Sequence, residues 1–214
     1  MLIANCDLGA VTRFAWTGFE IGIRQLGNDM AIEIEKKYRL TNKQHESVRR
    51  RLPEIGAKFQ GEEFEENTLY GGKGLAVDRS VLRLRRVGDS ALLTYKERLH
   101  TFSSIEHRRE DETRVDDPAA LNTILAALGF TPALVYEKRR ETWVWGKTEI
   151  VIDELPFGLF MEIEGKERDI RAIETRLAVK NLKTENLTYP QLTLENGKKS
   201  HGIIEARFKR PRRP

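Results

Sequence analysis

EIEKK at residues 33–37 and FMEIE at residues 160–164 are the two most informative stretches of the sequence. Each places two carboxylates two residues apart, with an isoleucine between them. In a β-strand, residues i and i+2 point to the same face, so each stretch presents paired acids on one face and apolar side chains on the other. Like charges on one sheet face repel each other unless a cation lies between them or basic groups surround them. Oxygen-rich sites of this kind suit Mg²⁺ or Mn²⁺.

Eight segments of the chain alternate in the manner of β-strands. Several are joined by short connections with turn chemistry, such as Gly146-Lys147, which predicts antiparallel neighbours. The predicted strands cover about residues 31–40, 64–70, 80–87, 91–97, 104–115, 134–145, 148–154 and 159–165.

Helical patterns interrupt these strands. Residues 41–44 have the spacing of a capping box, and Pro53 predicts a kink or an early end of the helix that follows. Asp117-Pro118 is typical of an N-cap followed by proline at the first helical position, and Gly129 is typical of the residue that follows a helix end. Two further helices are predicted over residues 166–180 and around 188–194.

One face of nearly every predicted strand carries almost only charge, of both signs. A well-solvated open sheet would account for this, and so would a closed barrel with a charged interior and an apolar outside that is partly covered by helices. Solvent faces usually include Ser, Thr, Gln and Asn, and these faces do not, which favours the barrel. A lumen with Lys and Arg on some walls and Glu on others would bind a polyanion together with its metal ions.

Charged motifs recur along the predicted strands over about residues 30–195. They are Glu33-x-Glu35-x-Lys37, LRLR at 82–85, TYK at 94–96, Arg108-x-Glu110-x-Glu112, Lys138-x-Arg140, and Asp153 followed by Gly158-x-Phe160-x-Glu162-Ile163-Glu164. The first matches the ExExK signature of the CYTH superfamily, the triphosphate tunnel metalloenzymes, and the others follow in that family's order, so the chain resembles this family. The resemblance implies an α+β fold, in which an eight-stranded antiparallel β-barrel forms a tunnel and helices pack on its outside. The stretch from Asp153 to Glu164, the predicted helix over residues 166–180 and the segment TYPQL at residues 188–192 are most similar to the class IV adenylate cyclase-like branch.

The resemblance also implies roles for the charged residues. Glu33, Glu35 and Glu164 would be ligands of Mg²⁺ or Mn²⁺, with Glu162 as an adjacent candidate. Arginine binds phosphate oxygens bidentately and lysine acts as a point charge, so the phosphate-binding set would be Lys37, Arg83, Arg85, Lys96, Arg108, Lys138 and Arg140. Glu110, Glu112 and Asp153 would bind a second metal, orient a water or neutralise nearby arginines, and these alternatives stay open. Glu33, Glu35, Lys37, Glu110, Glu112 and Asp153 are the candidate catalytic groups.

The implied function is a divalent-metal-dependent reaction at phosphorus of a nucleoside, thiamine or inorganic triphosphate. Two chemistries stay open: hydrolysis by a positioned water, and cyclisation of ATP to cyclic AMP with release of pyrophosphate. The alternatives are a non-catalytic polyphosphate- or triphosphate-binding module and an RNA 5′-triphosphatase. Trp143 and Trp145 share a strand face opposite Lys138 and Arg140, which favours packing outside the barrel over stacking on an adenine ring.

The composition limits which binding partners and which cellular compartment are expected for this protein. The net charge is +4, but five positive charges lie within residues 207–214, so the rest of the chain does not indicate a nucleic-acid binder. The basic tail is expected to be a solvated end, and a contact with RNA or DNA is the alternative. The single cysteine, Cys6, excludes an internal disulfide. With no apolar run long enough for a membrane helix and no signal-peptide pattern, a cytoplasmic monomer or homodimer without a membrane partner is expected.

Three parts are predicted along the chain. Residues 1–29 are expected to be a poorly ordered extension or to precede the functional start at Met30, because the strong patterning begins immediately after that methionine. Residues 30–195 form the predicted tunnel domain, and residues 196–214 form a C-terminal segment that ends in the basic tail.

Overall fold

A computed structural model describes residues 35–75, 80–99 and 107–209. The strands are β1 (Glu35–Leu40), β2 (Lys58–Gly72), β3 (Ser80–Val87), β4 (Ser90–Leu99), β5 (His107–Arg114), β6 (Phe130–Trp145), β7 (Thr148–Leu155), β8 (Gly158–Glu164), β9 (Lys198–Ser200) and β10 (Ile203–Ala206). The helices are α1 (Asn42–Glu54), α2 (Pro118–Ala127), α3 (Glu167–Leu177) and α4 (Tyr189–Asn196). The eight long strands form one antiparallel sheet in the order β1-β8-β7-β6-β2-β3-β4-β5.

The predicted antiparallel sheet of eight strands with helices around it is confirmed. The main differences concern length: β2 begins at Lys58 and β6 at Phe130, each several residues before the predicted start. Two short strands, β9 and β10, were not predicted, and β10 pairs in parallel with the first half of β6. The predicted extension over residues 1–29 lies outside the described part of the chain.

Helix ends follow the local sequence signals. Thr41 and Gln44 form the predicted capping box, in which the Thr41 backbone N donates to Gln44 Oε1 at 2.7 Å. α1 ends one residue after Pro53. Asp117 caps α2 by accepting from the backbone N of Ala119 and Ala120 at 2.9 Å.

The sheet is barrel-like, but no hydrogen-bonded register joins β5 to β1 within the described residues. The outer edge of β1 is covered instead by the segment between α3 and α4. Arg39 N donates to Lys183 O at 3.1 Å, and Glu185 N donates to Lys37 O at 3.0 Å. This segment satisfies backbone groups that a free edge strand would expose.

Helices cover the apolar face of the sheet. α1 and α3 pack on β1, β7 and β8 around Tyr38, Ile152, Met161 and Ile163, whose exposure is 2% or less. α2 covers part of the remaining strands, where Leu125 packs against a second cluster. α4 lies on the other face, and its Tyr189 and Leu192 pack on Phe160 and Leu134. One end of that face is therefore filled by apolar side chains.

The start of the basic tail is attached to the sheet. Arg207 forms ion pairs with Glu66 at 2.5 Å and with Glu137 at 3.1 Å. The backbone N of Phe208 donates to Glu137 Oε2 at 2.7 Å, and the Phe208 ring contacts Phe64. The expectation of a solvated tail is therefore wrong for Arg207. Among the described helices, none has the length and apolar character needed to cross a membrane.

Candidate functional site

The strand register brings the predicted charged residues onto one face of the sheet, here named the charged face. Residues that lie opposite each other in neighbouring strands share a face. Lys37 lies opposite Glu162, Glu65 opposite Lys138, Arg140 opposite Asp153, Asn67 opposite Arg85, Arg83 opposite Thr94, and Lys96 opposite Glu110. The charged face is defined by Glu35, Lys37, Glu65, Asn67, Arg83, Arg85, Thr94, Lys96, Glu110, Glu112, Lys138, Arg140, Asp153, Glu162 and Glu164. Glu33 and the side chain of Arg108 lie outside the described part.

A buried ion-pair network occupies the floor of the charged face, on β2, β6 and β7. Arg140 donates from Nε to Asp153 Oδ1 at 2.7 Å and from Nη2 to Asp153 Oδ2 at 2.6 Å. Lys138 Nζ lies 3.3 Å from Glu65 and 3.7 Å from Asp153. Asp153, Glu65 and Lys138 are at most 5% exposed. Bidentate geometry and mutual neutralisation are what such buried charges require.

The electrostatics of this network keep its carboxylates ionised. Burial alone would raise the pKa of Glu65, but Lys138 and Arg140 outweigh burial and hold the pKa below its ordinary value. The pKa of Asp153 is lowered in the same way, against burial, by Lys138, Arg140 and the hydroxyl of Tyr189. Burial lowers the pKa of Lys138, because desolvation opposes its charged form more than the two carboxylates favour it.

A second group of carboxylates lies where β1 meets β8. Glu35 is opposite Glu164 in the register, and Lys37 Nζ lies 3.1 Å from Glu162 and 3.7 Å from Glu35. Burial and the neighbouring Glu162 carboxylate raise the pKa of Glu35 to about 7. The Glu35 side chain is 47% exposed, so it stays accessible to a cation from solvent. Two carboxylates in contact with each other form a place where a cation would relieve repulsion.

The carboxylates at β1 and β8 suit a hard divalent cation by their donor chemistry, since Mg²⁺ and Mn²⁺ take oxygen ligands and keep several waters. Within the described residues, however, no three acidic, histidine or cysteine side chains converge closely enough to hold a metal by themselves. Glu35 and Glu162 are the pair in contact. Glu33, the remaining predicted ligand of this strand, is not among the residues described.

Strands β3, β4 and β5 carry a more open part of the charged face. The Nε atom of Arg83 is buried and has no hydrogen-bond partner among the described atoms. Lys96 pairs with Glu110 at 2.8 Å, and Thr94 Oγ1 donates to Glu112 at 2.7 Å. The guanidinium of Arg83 also hydrogen-bonds the Tyr136 hydroxyl, and the side chain as a whole is only half-buried. Its remaining N–H groups are suited to binding an anion on the charged face.

Two residues of the charged face, Glu65 and Asn67, were not predicted to belong to the site. Neither was Tyr189, which packs against this face from α4. Glu65 and Asn67 share the parity of the face, but Glu66 between them also carries charge, so β2 shows no clean alternation. Tyr189 lies in a short helix whose contact with β7 has no local sequence signal.

Trp143 and Trp145 lie on the face opposite Lys138 and Arg140, as predicted. Trp145 Nε1 donates to Ile55 O at 3.0 Å, and the Trp143 ring packs 5.0 Å from that of Phe59. The two indoles therefore pack outside the charged face and do not stack on a ligand bound there.

The match to known proteins agrees with this geometry. The CYTH domain model matches residues 31–192, which is most of the chain. The chain belongs to the CYTH domain family. No curated protein matches it.

Several solved structures share the fold. The PH1012 protein of Pyrococcus horikoshii OT3 is 27% identical, with a TM-score of 0.62 over 75% of this chain and 99% of that one. An adenylate cyclase candidate from Vibrio parahaemolyticus is 20% identical, with a TM-score of 0.60 over 75% and 96% of the two chains. An adenylyl cyclase candidate from Hippeastrum, described as having a dominant triphosphatase activity, is 18% identical, with a TM-score of 0.59 over 77% and 96%. At 20% and 18% identity, the likeness of the last two structures to this chain shows a shared fold and nothing more.

Proposed function

We propose that this CYTH protein is a divalent-metal-dependent enzyme that binds a triphosphate on the charged face and catalyses a reaction at phosphorus. The observation that carries the proposal is the gathering of cations and carboxylates from eight strands onto one face of the sheet. A face of this kind provides separate places for phosphate oxygens and for the metal that accompanies them. The resemblance to cyclase and triphosphatase candidates supports the same class of substrate.

The residues of the chain divide into two tasks in this proposal. Lys37, Arg83, Arg85 and Lys96 hold phosphate oxygens, and the arginines also fix the direction of the phosphate chain through their planar donors. Arg140 and Lys138 complete the positive field from the floor of the site. Glu35 and Glu162, with Glu164 and Glu33, hold the metal. A bound Mg²⁺ or Mn²⁺ would neutralise phosphate charge and polarise the phosphoryl oxygens.

Within this class, an inorganic triphosphate is favoured over a nucleotide. Among the described residues, the aromatic rings on the same side of the sheet that could stack on a base are those of Tyr136, Phe160 and Tyr189, and they are at most 7% exposed. Trp143 and Trp145 lie on the other face. We therefore propose hydrolysis of tripolyphosphate as the leading reaction, with cyclisation of ATP as the second candidate because of the cyclase candidates that share the fold.

A substrate panel tests the proposal. The full chain is incubated with tripolyphosphate, thiamine triphosphate or ATP and with Mg²⁺ or Mn²⁺, and both orthophosphate and cyclic AMP are scored. Orthophosphate from tripolyphosphate without cyclic AMP supports the triphosphatase, and cyclic AMP with pyrophosphate from ATP makes the protein a cyclase. A protein that binds tripolyphosphate but turns over none of the three is a binding module, and the proposal of an enzyme then fails.

A matched pair of variants separates metal-dependent turnover from contaminating phosphatase. Glu35→Gln removes a carboxylate from the candidate metal ligands, and turnover is expected to fall by at least about 100-fold. Glu154→Gln is the control, because this exposed carboxylate pairs with Arg139 on the opposite face of the sheet. Equal activity of the two variants would assign the turnover to another protein in the sample.

A further inference from the structure

Tyr189, the first residue of α4, joins groups from three strands of the sheet. Its hydroxyl donates to Asp153 Oδ2 on β7 at 2.7 Å. The Nζ atoms of Lys37 on β1 and Lys138 on β6 lie 4.4 Å and 5.5 Å from the centroid of its ring. One side chain from outside the sheet thus contacts an acid and two cations of the charged face.

The position of this tyrosine is fixed from several sides. Thr188 caps α4 through a capping box with Gln191, and the buried Thr193 Oγ1 donates to the Tyr189 backbone O at 2.7 Å. The Tyr189 ring makes an edge contact with Phe160, with the ring centroids 5.5 Å apart. A side chain that is 7% exposed and held in this way has little freedom to change its rotamer.

The Tyr189 hydroxyl hydrogen-bonds the Asp153 carboxylate, which in turn pairs with Arg140 and Lys138. Asp153 Oδ2 accepts from both Tyr189 and Arg140 Nη2, so the hydroxyl fixes the rotation of the carboxylate group against which the guanidinium aligns. The same Nη2 atom also donates to Glu162 Oε2 at 2.8 Å. A continuous chain of hydrogen bonds thereby runs from α4 through Asp153 and Arg140 to a candidate metal ligand.

We propose that Tyr189 is a positioning residue, which orients Arg140 and Lys138 through Asp153 and so sets the donors that face the phosphates and Glu162. Its effect on turnover rests on the proposed function. The orientation of Arg140 does not rest on the proposed function, because it can be measured without turnover. A hydrogen bond to the ionised form also stabilises the Asp153 carboxylate, which ties the charge state of the network to α4.

The chain offers a matched control for this proposal. Tyr38 is also buried, and its hydroxyl donates to Glu174 Oε1 at 2.5 Å on the apolar face of the sheet. Tyr189→Phe and Tyr38→Phe therefore each remove one buried tyrosine–carboxylate hydrogen bond and keep the ring. A merely structural role predicts the same outcome for both variants, namely lower stability alone.

The first readout needs no turnover. In the ¹⁵N-labelled protein, the Nε–Hε signal of Arg140, identified by its loss in Arg140→Lys, is compared among the wild type, Tyr189→Phe and Tyr38→Phe. The signal is expected to shift and to exchange faster with solvent in Tyr189→Phe, and to stay unchanged in Tyr38→Phe. An unchanged Arg140 signal in Tyr189→Phe overturns the proposal. If Tyr189→Phe does not fold, 3-fluorotyrosine at position 189 replaces one ring hydrogen with fluorine and makes the hydroxyl a stronger donor. The Arg140 signal is then again expected to shift, and an unchanged signal overturns the proposal.

The second readout is the kinetics with tripolyphosphate and Mg²⁺. Tyr189→Phe is expected to lower kcat/KM by about 10- to 100-fold, the usual effect of losing a group that orients the direct ligands of a site. Tyr38→Phe is expected to leave kcat/KM unchanged. If the wild type turns over no triphosphate, the proposed function falls, and the Arg140 signal still decides whether Tyr189 positions the network.

Discussion

Two halves of the charged face, one on β6 and one on β3, differ in how fully the hydrogen-bond donors of their cations are satisfied. On β6, Lys138 and Arg140 are already paired with Glu65, Asp153 and Glu162 at 4.0 Å or less. On β3, the Nε–H of Arg83 is buried without an acceptor among the described atoms. The cations of the first half are already neutralised and held in place by three carboxylates, whereas the second half has hydrogen-bonding capacity that an anion would satisfy. We infer that the paired half holds the geometry and that the unpaired half supplies affinity.

The largest expected effect comes from breaking the paired half. Asp153→Asn leaves Lys138 and Arg140 with too little negative charge around them in a buried setting. We expect the free energy of unfolding to fall by about 3–5 kcal/mol, as when one member of a buried ion pair is removed. Urea unfolding followed by circular dichroism measures this loss. Glu154→Gln, one residue along on the opposite face, should change stability by less than about 1 kcal/mol, and a similar loss in both variants would contradict the distinction.

Arg83→Gln tests the second half, where affinity for the ligand and not stability is expected to fall. Its stability should change by no more than about 1 kcal/mol, because the partly buried side chain loses its hydrogen bond with the Tyr136 hydroxyl together with an unsatisfied Nε–H donor. The affinity for tripolyphosphate, measured by calorimetry, should fall by about 10- to 100-fold, the value of a hydrogen bond to a charged group. Arg86→Gln is the control, since Arg86 lies on the other face of β3 and 51% of its side chain is exposed. Equal affinities of the two variants would remove Arg83 from the phosphate site.

The charged face itself was predictable from sequence, because strand parity is a local property with a period of two residues. Two charged residues at positions i and i+2 of a strand are predicted to share a face from three residues of sequence alone. This holds for Arg83 and Arg85, for Lys138 and Arg140, and for Glu162 and Glu164. The partners that neutralise them were not all predictable. Glu65 reaches Lys138 only through the register of β2 with β6, and no pattern within β2 indicates that register.

The contact of α4 with the site was also not predictable from the sequence. α4 was predicted at nearly the observed position, but its sequence does not state which surface it covers. The segment 183–185, which runs along the outer edge of β1, has no strand alternation and was not predicted to pair. Contacts of this kind depend on where a connection leads in space, and hydrophobic periodicity carries no information about that.

A smaller effect on the paired half should appear in its dependence on pH. The pKa of Glu65 is lower in the folded protein than its ordinary value of 4.5. A depressed carboxyl pKa adds stability above pH 4.5, and this contribution disappears as the pH falls through the lowered pKa of the folded state. The stability gap between the wild type and Glu65→Gln should therefore be largest near neutral pH and should shrink below about pH 4.5. Urea unfolding at several pH values measures the gap.

The control for the pH series is Glu62→Gln, an exposed position on the same strand. Its gap to the wild type should be small at every pH, because an exposed carboxylate without a buried partner adds little. A gap for Glu65→Gln that stays constant from pH 7 to pH 3 would mean that the loss comes from packing and not from the charge of the carboxylate.

The smallest expected effect lies at Lys96 on β4, the strand next to that of Arg83. Lys96 is paired with Glu110 at 2.8 Å, yet both side chains are more than one third exposed, so the pair resembles a surface ion pair. Lys96→Gln should change the free energy of unfolding by no more than about 0.5 kcal/mol. It should also weaken tripolyphosphate binding and flatten the dependence of that binding on salt, because a screened point charge is lost. A stability loss as large as that of Asp153→Asn would place Lys96 with the structural cations, and the division between geometry and affinity would then have to be drawn elsewhere.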